Sequence, residues 1–279
     1  MGQALGIMTN NASLTAQNNV SQTSQMMSKS IARLSSGLRV QSAADDAAGM
    51  AVSEGMRAQL RGFQQAARNA NDGVSMLQTA ESGYQSISDS LVRMRELAVQ
   101  SGNDSITDTE RAYINTEFQD LSSEIDRVSN SVEYNGIKLM DGTAGTAGTV
   151  TFQVGTRNSG NDRISVSLGD VDSTSLGVNA SAVDTLANSQ TAIDDIDAAL
   201  NTLATSRSNL GSNINHLTQA SVHLGRTIEN YGAAVGNIRD VDVAAESANF
   251  AKSQVLQQAG VSMLAQANAT PGLALRLLG

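Results

Sequence analysis

The stretch FQQAARNANDGVSMLQTAESGYQSISDSLVRMRELA, residues 63–98, decides the fold. Taken in sevens from Phe63, with the position three further on, it gives Phe63, Ala66, Ala70, Gly73, Leu77, Ala80, Tyr84, Ile87, Leu91, Met94 and Ala98. Each is apolar or small, and no proline interrupts them. Steps of three and four draw one narrow stripe along a helix, and a strict seven-residue repeat is the coiled-coil form of that stripe. Such a helix spans about 54 Å at 1.5 Å per residue. A stripe that narrow needs partner helices of similar length.

Outward from this stretch, the chain supplies them. A second ladder runs through Leu186, Ile193, Ile196, Leu200, Leu203, Leu210, Ile214, Leu217, Leu224, Ile228 and Tyr231, with Arg207 and Ser221 as polar exceptions. Towards the N-terminus, Leu5, Met8, Ala12, Ala16, Val20, Thr23, Met27, Ile31, Leu34 and Leu38 form an arm that predicts a helix over about 13–34. Gly37 is a left-handed helix stop. Asp45 and Asp46 then open the central helix, expected over about 44–99, at the positive end of its dipole. Residues 101–105 read as a polar turn, and Thr107-Asp108-Thr109-Glu110 as a capping box. The helix it starts carries Ile114, Phe118, Leu121, Ile125, Val128 and Val132 and is an antiparallel neighbour of the central one. After turns at Asn135-Gly136 and Asp141-Gly142 the period changes to two: Val150, Phe152 and Val154, then Ile164, Val166 and Leu168. That predicts a β-hairpin over about 149–168 with a long Gly- and Asn-rich loop. A last arm is striped by Ile238, Val241, Ala245, Ala248, Val255, Ala259, Met263 and Ala267.

The fold class that follows is mainly α: a long antiparallel helical bundle or coiled-coil rod with a small hairpin, its N- and C-terminal helices paired. The expected divisions are an N-terminal arm at 1–43, a rod at 44–235 and a C-terminal arm at 236–279. The chain goes out and comes back, which places its ends side by side.

Composition agrees. The 279 residues hold no Trp, no Cys and a single Pro, Pro271. That is a profile of uninterrupted helices packed through small residues, without a disulfide framework or thiolate chemistry. Net charge is -9, and all 27 acids lie from Asp45 to Glu246. Outside residues 45–246 the charged residues are only Lys29, Arg33, Arg39, Lys252 and Arg276. The arms keep helical stripes and low charge, which disordered tails do not, so they are expected to fold on assembly. No segment has the length and purity of a membrane span, and the start lacks the basic and apolar regions of a secretory signal peptide.

Nothing points to catalysis, a cofactor or a metal. His216 and His223 lie about 10 Å apart on a helix, too far to share an ion. Asp194, Asp195 and Asp197 read as acids near a helix start, not as a calcium loop. Residues 142–148 lack the Lys-Ser/Thr of a phosphate loop. An acidic centre and weakly basic arms exclude a nucleic-acid footprint. One surface feature stands out: Arg93, Leu97 and Gln100 point away from the ladder, and an outward Leu97 calls for either a neighbouring helix or an intermolecular contact.

These residues also carry a resemblance. Met8-Thr9-Asn10-Asn11-Ala12-Ser13-Leu14-Thr15-Ala16-Gln17-Asn18, Arg33-Leu34-Ser35-Ser36-Gly37-Leu38-Arg39 and Ser42-Ala43-Ala44-Asp45-Asp46-Ala47-Ala48-Gly49 are similar to bacterial flagellin. So are Ala66–Gly73, Gln78–Glu81, Arg95–Gln100, Ile238–Asp240, Gln257–Gly260 and Met263–Asn268. The resemblance covers roughly 8–142 and 230–278. It implies a structural, non-enzymatic subunit that polymerises into the extracellular flagellar filament, exported without a cleaved signal peptide by the type III apparatus. It implies axial assembly through both arms, with Leu14, Val20, Met27, Ile31, Leu34, Val255, Leu256, Met263 and Leu264 as the contact residues. Implied partners are further copies of the chain, an export chaperone, the filament cap and junction proteins, and vertebrate Toll-like receptor 5, with no nucleic acid and no membrane. Carried over by motif, the receptor contacts are Arg93, Leu97 and Glu117. The sequence departs from the family in lacking outer domains near 142–180, in Ala44 and Val241, and in Arg276 within the apolar close. Ser and Thr over 143–181 are sugar acceptors if that stretch faces solvent. A hook–filament junction protein shares the terminal pattern, and a cytoplasmic signalling bundle of the chemoreceptor type is the rival from another class.

Overall fold

The structure, a computed structural model, describes residues 9–278, with side chains described for 9–270. Leu5 and Met8 of the first stripe and the side chain of Arg276 therefore lie outside the described residues. Five helices carry the fold: α1 (Asn11–Ser36), α2 (Ala47–Ser101), α3 (Asp108–Ser131), α4 (Leu186–Arg239) and α5 (Val243–Leu278). Between α3 and α4 stand two antiparallel strand pairs, β1 (Glu133–Tyr134) with β2 (Ile137–Lys138), and β3 (Thr149–Gln153) with β4 (Arg163–Ser167). The chain divides into two compact units: Met1–Ala58 with Asn230–Gly279, and Gln59–Glu229. The division falls inside α2 and α4.

The second unit is built on the 63–98 stretch. From Ala66 to Ala98 every rung of its ladder is buried. Where α2 and α4 lie side by side they are antiparallel: Ser221 Oγ donates to Asn71 Oδ1 at 2.9 Å, Arg207 pairs with Glu81 at 2.7 Å, and Arg95 with Asp197 at 2.7 Å. As α2 climbs, its partner on α4 descends. The two polar exceptions of the α4 ladder are thus explained, because each is matched across the seam by a polar residue of α2. Gly73 lets the helices close, since a methyl group there would lie 3.1 Å from Leu217 Cδ1 and 2.9 Å from Phe152 of β3.

α2 buries a second stripe, Met76, Gly83 and Leu97, one position behind the first. Two partners on different sides widen the apolar face beyond a single coiled-coil seam. One of them is α3: Arg93 of α2 pairs with Glu117 of α3 at 2.7 Å, and a methyl group on Gly83 would lie 2.9 Å from Cγ2 of Val132, the residue that caps the end of α3. Leu97 is 2% exposed and belongs to the core. Its expected outward position is corrected, and of the two readings open for it the helical neighbour holds.

The capping box of α3 forms as predicted, with the Thr107 side chain accepting from Glu110 N and the Glu110 side chain from Thr107 N. The turn before it is clamped by Arg111, only 6% exposed. Its guanidinium donates to Ser101 O and Asn103 O, both at 2.8 Å. A cation there satisfies carbonyls left free where α2 ends. Sequence periodicity gives no sign of this clamp.

The hairpin register pairs Val150 with Val166 and Phe152 with Ile164. Residues 171–183, which have no helix or strand, seal the core. Val171, Leu176, Val178 and Val183 are buried, while Ser173 donates from N and Oγ to the Asp126 carboxylate at 2.8 and 3.0 Å. Ser173 and Ser181 are themselves buried, so neither is the solvent-facing acceptor considered from sequence. Tyr84 lies in the same core at 1% exposure, and burial raises its phenol above the usual 10.0.

Asp194, Asp195 and Asp197 sit well inside α4, whose first turn has no acid. The helix begins at Leu186, so the dipole reading fails. Asp195 instead accepts from Ser181 Oγ at 2.7 Å, and Asp197 pairs with Arg95.

Candidate assembly surface

In the first unit α1 and α5 lie antiparallel. Gly37 ends α1 in the left-handed conformation, φ 72°, with its N–H on Arg33 O at 2.9 Å. At the other junction Asp242 Oδ1 accepts from Ala244 N and Ala245 N and so opens α5. Asn10 Nδ2 donates to Ala267 O at 2.8 Å, Ser13 Oγ to Asn268 Oδ1 at 2.6 Å, and Ser30 Oγ to the Glu246 carboxylate. Gly260 meets Val20 closely, since a methyl group there would lie 2.7 Å from Val20 Cγ2.

The seam between these helices is narrow and largely polar. Thr23, Ser30, Glu246 and Ser253 are its buried residues. Among the expected assembly residues, Leu14, Ile31, Val255, Leu256 and Met263 are exposed, Val255 at 65% and Met263 at 63%. Val20, Met27, Leu34 and Leu264 are half-buried. Met26 and Val261, which the stripe reading did not single out, are also exposed. On α5 the expected stripe is not the face turned to α1: Ala245, Ala248, Val255, Ala259 and Met263 are exposed, whereas Glu246, Ser253, Gln257, Gly260 and Leu264 are buried or half-buried. With a single partner helix, the rest of each arm is left bare.

Hollows flank the pair. One, of about 680 Å³, is lined by uncharged residues, among them Ala12, Ala16, Val20, Met26, Leu256 and Met263. Another, of about 480 Å³, is lined by Met27, Gln254, Gln257, Gln258 and Val261. Among the described residues, Gln257 Oε1 and Arg33 Nε are buried without a hydrogen-bond partner. Buried polar atoms ordinarily have one.

The loop from α1 to α2 is tied by charge. Lys29 Nζ lies 2.6 Å from Asp45 Oδ1, and Asp45 Oδ2 accepts from Ser42 N and Gln41 N. Lys29 foremost, with those N–H groups, holds the Asp45 carboxyl at about 2, below its ordinary 3.8.

On the second unit, Arg93 donates through Nε and Nη2 to Glu117 Oε1 at 3.0 and 2.7 Å, and through Nη1 to Glu96 at 2.9 Å. Hydrogen bonds to Glu117 and then Glu96 raise the guanidinium above its ordinary value. Arg93 and Glu117 are thus brought together at the surface, while Leu97 is buried. Exposed apolar residues near them in sequence, Val92, Val99 and Tyr113, were missed. The i, i+7 spacing of Val92 and Val99 was the available signal.

His216 and His223 are both exposed. Among the described residues no group of three or more His, Cys, Asp or Glu could hold a metal ion. No described helix is long and apolar enough to cross a membrane.

Residues 7–145 match the bacterial flagellin N-terminal helical region, and residues 193–278 the bacterial flagellin C-terminal helical region. A flagellin of Halalkalibacterium halodurans is 44% identical over 252 residues, covering 90% of this chain and 91% of that one. A flagellin of Bacillus subtilis is 36% identical over 300 residues, covering 96% and 98%. The crystal structure of Bacillus cereus flagellin superposes with a TM-score of 0.50 at 28% identity, over 56% of this chain and 88% of that one. With both ends matched and relatives aligned nearly end to end, the chain belongs to the bacterial flagellin family: it is a structural subunit of the flagellar filament, an extracellular polymer, and not an enzyme.

Proposed function

We propose that the α1–α5 pair is the element through which copies of this chain polymerise. The observation that supports it is the row of apolar side chains left bare beside a thin polar seam, Leu14, Ile31, Val255, Leu256 and Met263. Each is about half exposed, so covering it with neighbouring copies contributes on the order of 1 kcal/mol. The half-buried Val20, Met27, Leu34 and Leu264 complete the apolar surface at the seam's edges. In this reading residues 1–43 and 236–279 are the axial arms and 44–235 the rod. Contacts between copies are heterologous and non-closing, which makes a filament and not a ring.

Deletion of residues 1–40 tests this. Filaments are lost, while the helical signal of residues 59–229 is retained; normal filaments from the truncated chain would refute the assignment. In the full chain, Val255→Asp raises the concentration needed for polymerisation without lowering the stability of the second unit.

Finer partners belong to the same proposal. Export proceeds without a cleaved signal peptide, through an export chaperone, and growth occurs between junction and cap proteins. Toll-like receptor 5 contacts Arg93 and Glu117, with Leu97 acting from beneath as a buried support. Arg93→Ala lowers receptor activation by the monomer; unchanged activation in a reporter-cell assay would sink the receptor assignment.

A further inference from the structure

The chain has 10 methionines and no cysteine, so the thioether is its only oxidisable sulfur. The described methionines sort by exposure. Met76, Met94 and Met140, in the second unit, are 4%, 0% and 0% exposed. Met27, Met50 and Met56 are half-buried. Met26 and Met263 alone among the described methionines are exposed beyond half, at 52% and 63%. One comes from α1 and the other from α5, and both line the uncharged hollow of about 680 Å³.

We infer that Met26 and Met263 form an oxidation site that controls whether a free subunit can join the polymer. The inference rests on the assignment of the α1–α5 pair to assembly. The thioether sulfur attacks a peroxide oxygen, the O–O bond breaks, an S–O bond forms and, after proton transfer, water leaves. Sulfur is oxidised by two electrons and the peroxide is reduced. The product is a polar, chiral sulfoxide in place of a flexible apolar side chain. The hollow offers it the amides of Asn11, Asn19 and Gln22; Met26, unlike Met263, also borders a smaller hollow lined by Lys29, Arg33, Glu246 and Lys252. A free subunit keeps the new S–O group in water, whereas a packed one must strip it of solvent. Oxidation therefore leaves the second unit intact and acts on association. Once polymerised, both sulfurs are covered and protected.

The test uses the full chain as monomer, treated with dilute hydrogen peroxide to partial oxidation and then seeded to polymerise. Fragment-ion mass mapping reads each methionine separately in the pellet and in the supernatant, Met1 and Met8 included. The expected result is sulfoxide at Met26 and Met263 before Met76, Met94 or Met140, and its depletion in the pellet by about tenfold, the ratio for about 1.4 kcal/mol of unfavourable burial. Equal sulfoxide in pellet and supernatant overturns the inference, as does oxidation of the core methionines at the same rate. A Met26→Leu, Met263→Leu chain, scored against its own untreated sample, loses less polymerisation on peroxide treatment than the parent; an equal loss also overturns it. Failure of the assembly assignment looks different, because filaments then form from the chain lacking residues 1–40. Methionine sulfoxide reductase restores polymerisation of the treated parent.

Discussion

Gly260 has no room for a side chain, because Val20 already occupies the space a Cβ would need. Gly260→Val forces α1 and α5 apart at a cost of about 1–3 kcal/mol, typical of overpacking. The measurement is the critical concentration for polymerisation, which rises, while urea unfolding of the second unit stays unchanged. Arg111 makes the opposite case, a large residue where a small one fails. Arg111→Ala leaves the carbonyls of Ser101 and Asn103 without their donor and lowers stability by about 2 kcal/mol, read as a shift in the urea midpoint. Neither residue was legible as critical. Gly260 was quoted only as part of a motif, and Arg111 was not singled out. Leu97 shows the reason: a single stripe assigns inside and outside for one neighbour, but α2 has neighbours on two sides, so a residue one position off the stripe is also buried.

The helices are the elements that periodicity reveals, and their existence, order and stop signals agree with it. The α3 capping box is local and was read directly. Thr107→Ala should cost about 1 kcal/mol, visible as a lowered thermal midpoint. The stretch 171–183 was invisible because it is held at Ser173, Ser181 and Val183 by the side chains of Asp126, Gln119 and Asn115, which come from far along the chain. The three acids of α4 were misread although the ladder already began at Leu186, which leaves Asp194 more than two turns inside the helix and beyond the reach of its N-terminal dipole. The loop before α2 carries a pH dependence. Asp45 has a folded value of about 2 against 3.8 when free, so its contribution is complete above 3.8 and is lost as pH falls through about 2. An NMR titration of the Asp45 carboxyl should give that low value, and Lys29→Met should return it towards 3.8.

For the molecule as a whole, charge is distributed by task. Acids are confined to residues 45–246, and the last of them, Glu246, is buried with Ser30 and lies 3.7 Å from Arg33. Before residue 45 and after residue 246 the arms therefore offer neighbouring copies apolar side chains and amides, with no acid that would be stranded in a packed interior. This was legible in the sequence because it depends on composition, not on geometry. Which arm residues stay bare was not, since that depends on how α1 and α5 face each other. Tyr84 has a practical consequence at this scale. The chain has no tryptophan, and of its four tyrosines Tyr113 is 73% exposed while Tyr84 is fixed among close-packed neighbours. Its near-ultraviolet dichroism is an optical gauge seated in the interior of the second unit, and the far-ultraviolet band sums every helix. Heated together, the two traces diverge where one unit melts before the other. In alkali the gauge goes dark as pH climbs past 10, because the phenolate is admitted only when that interior opens.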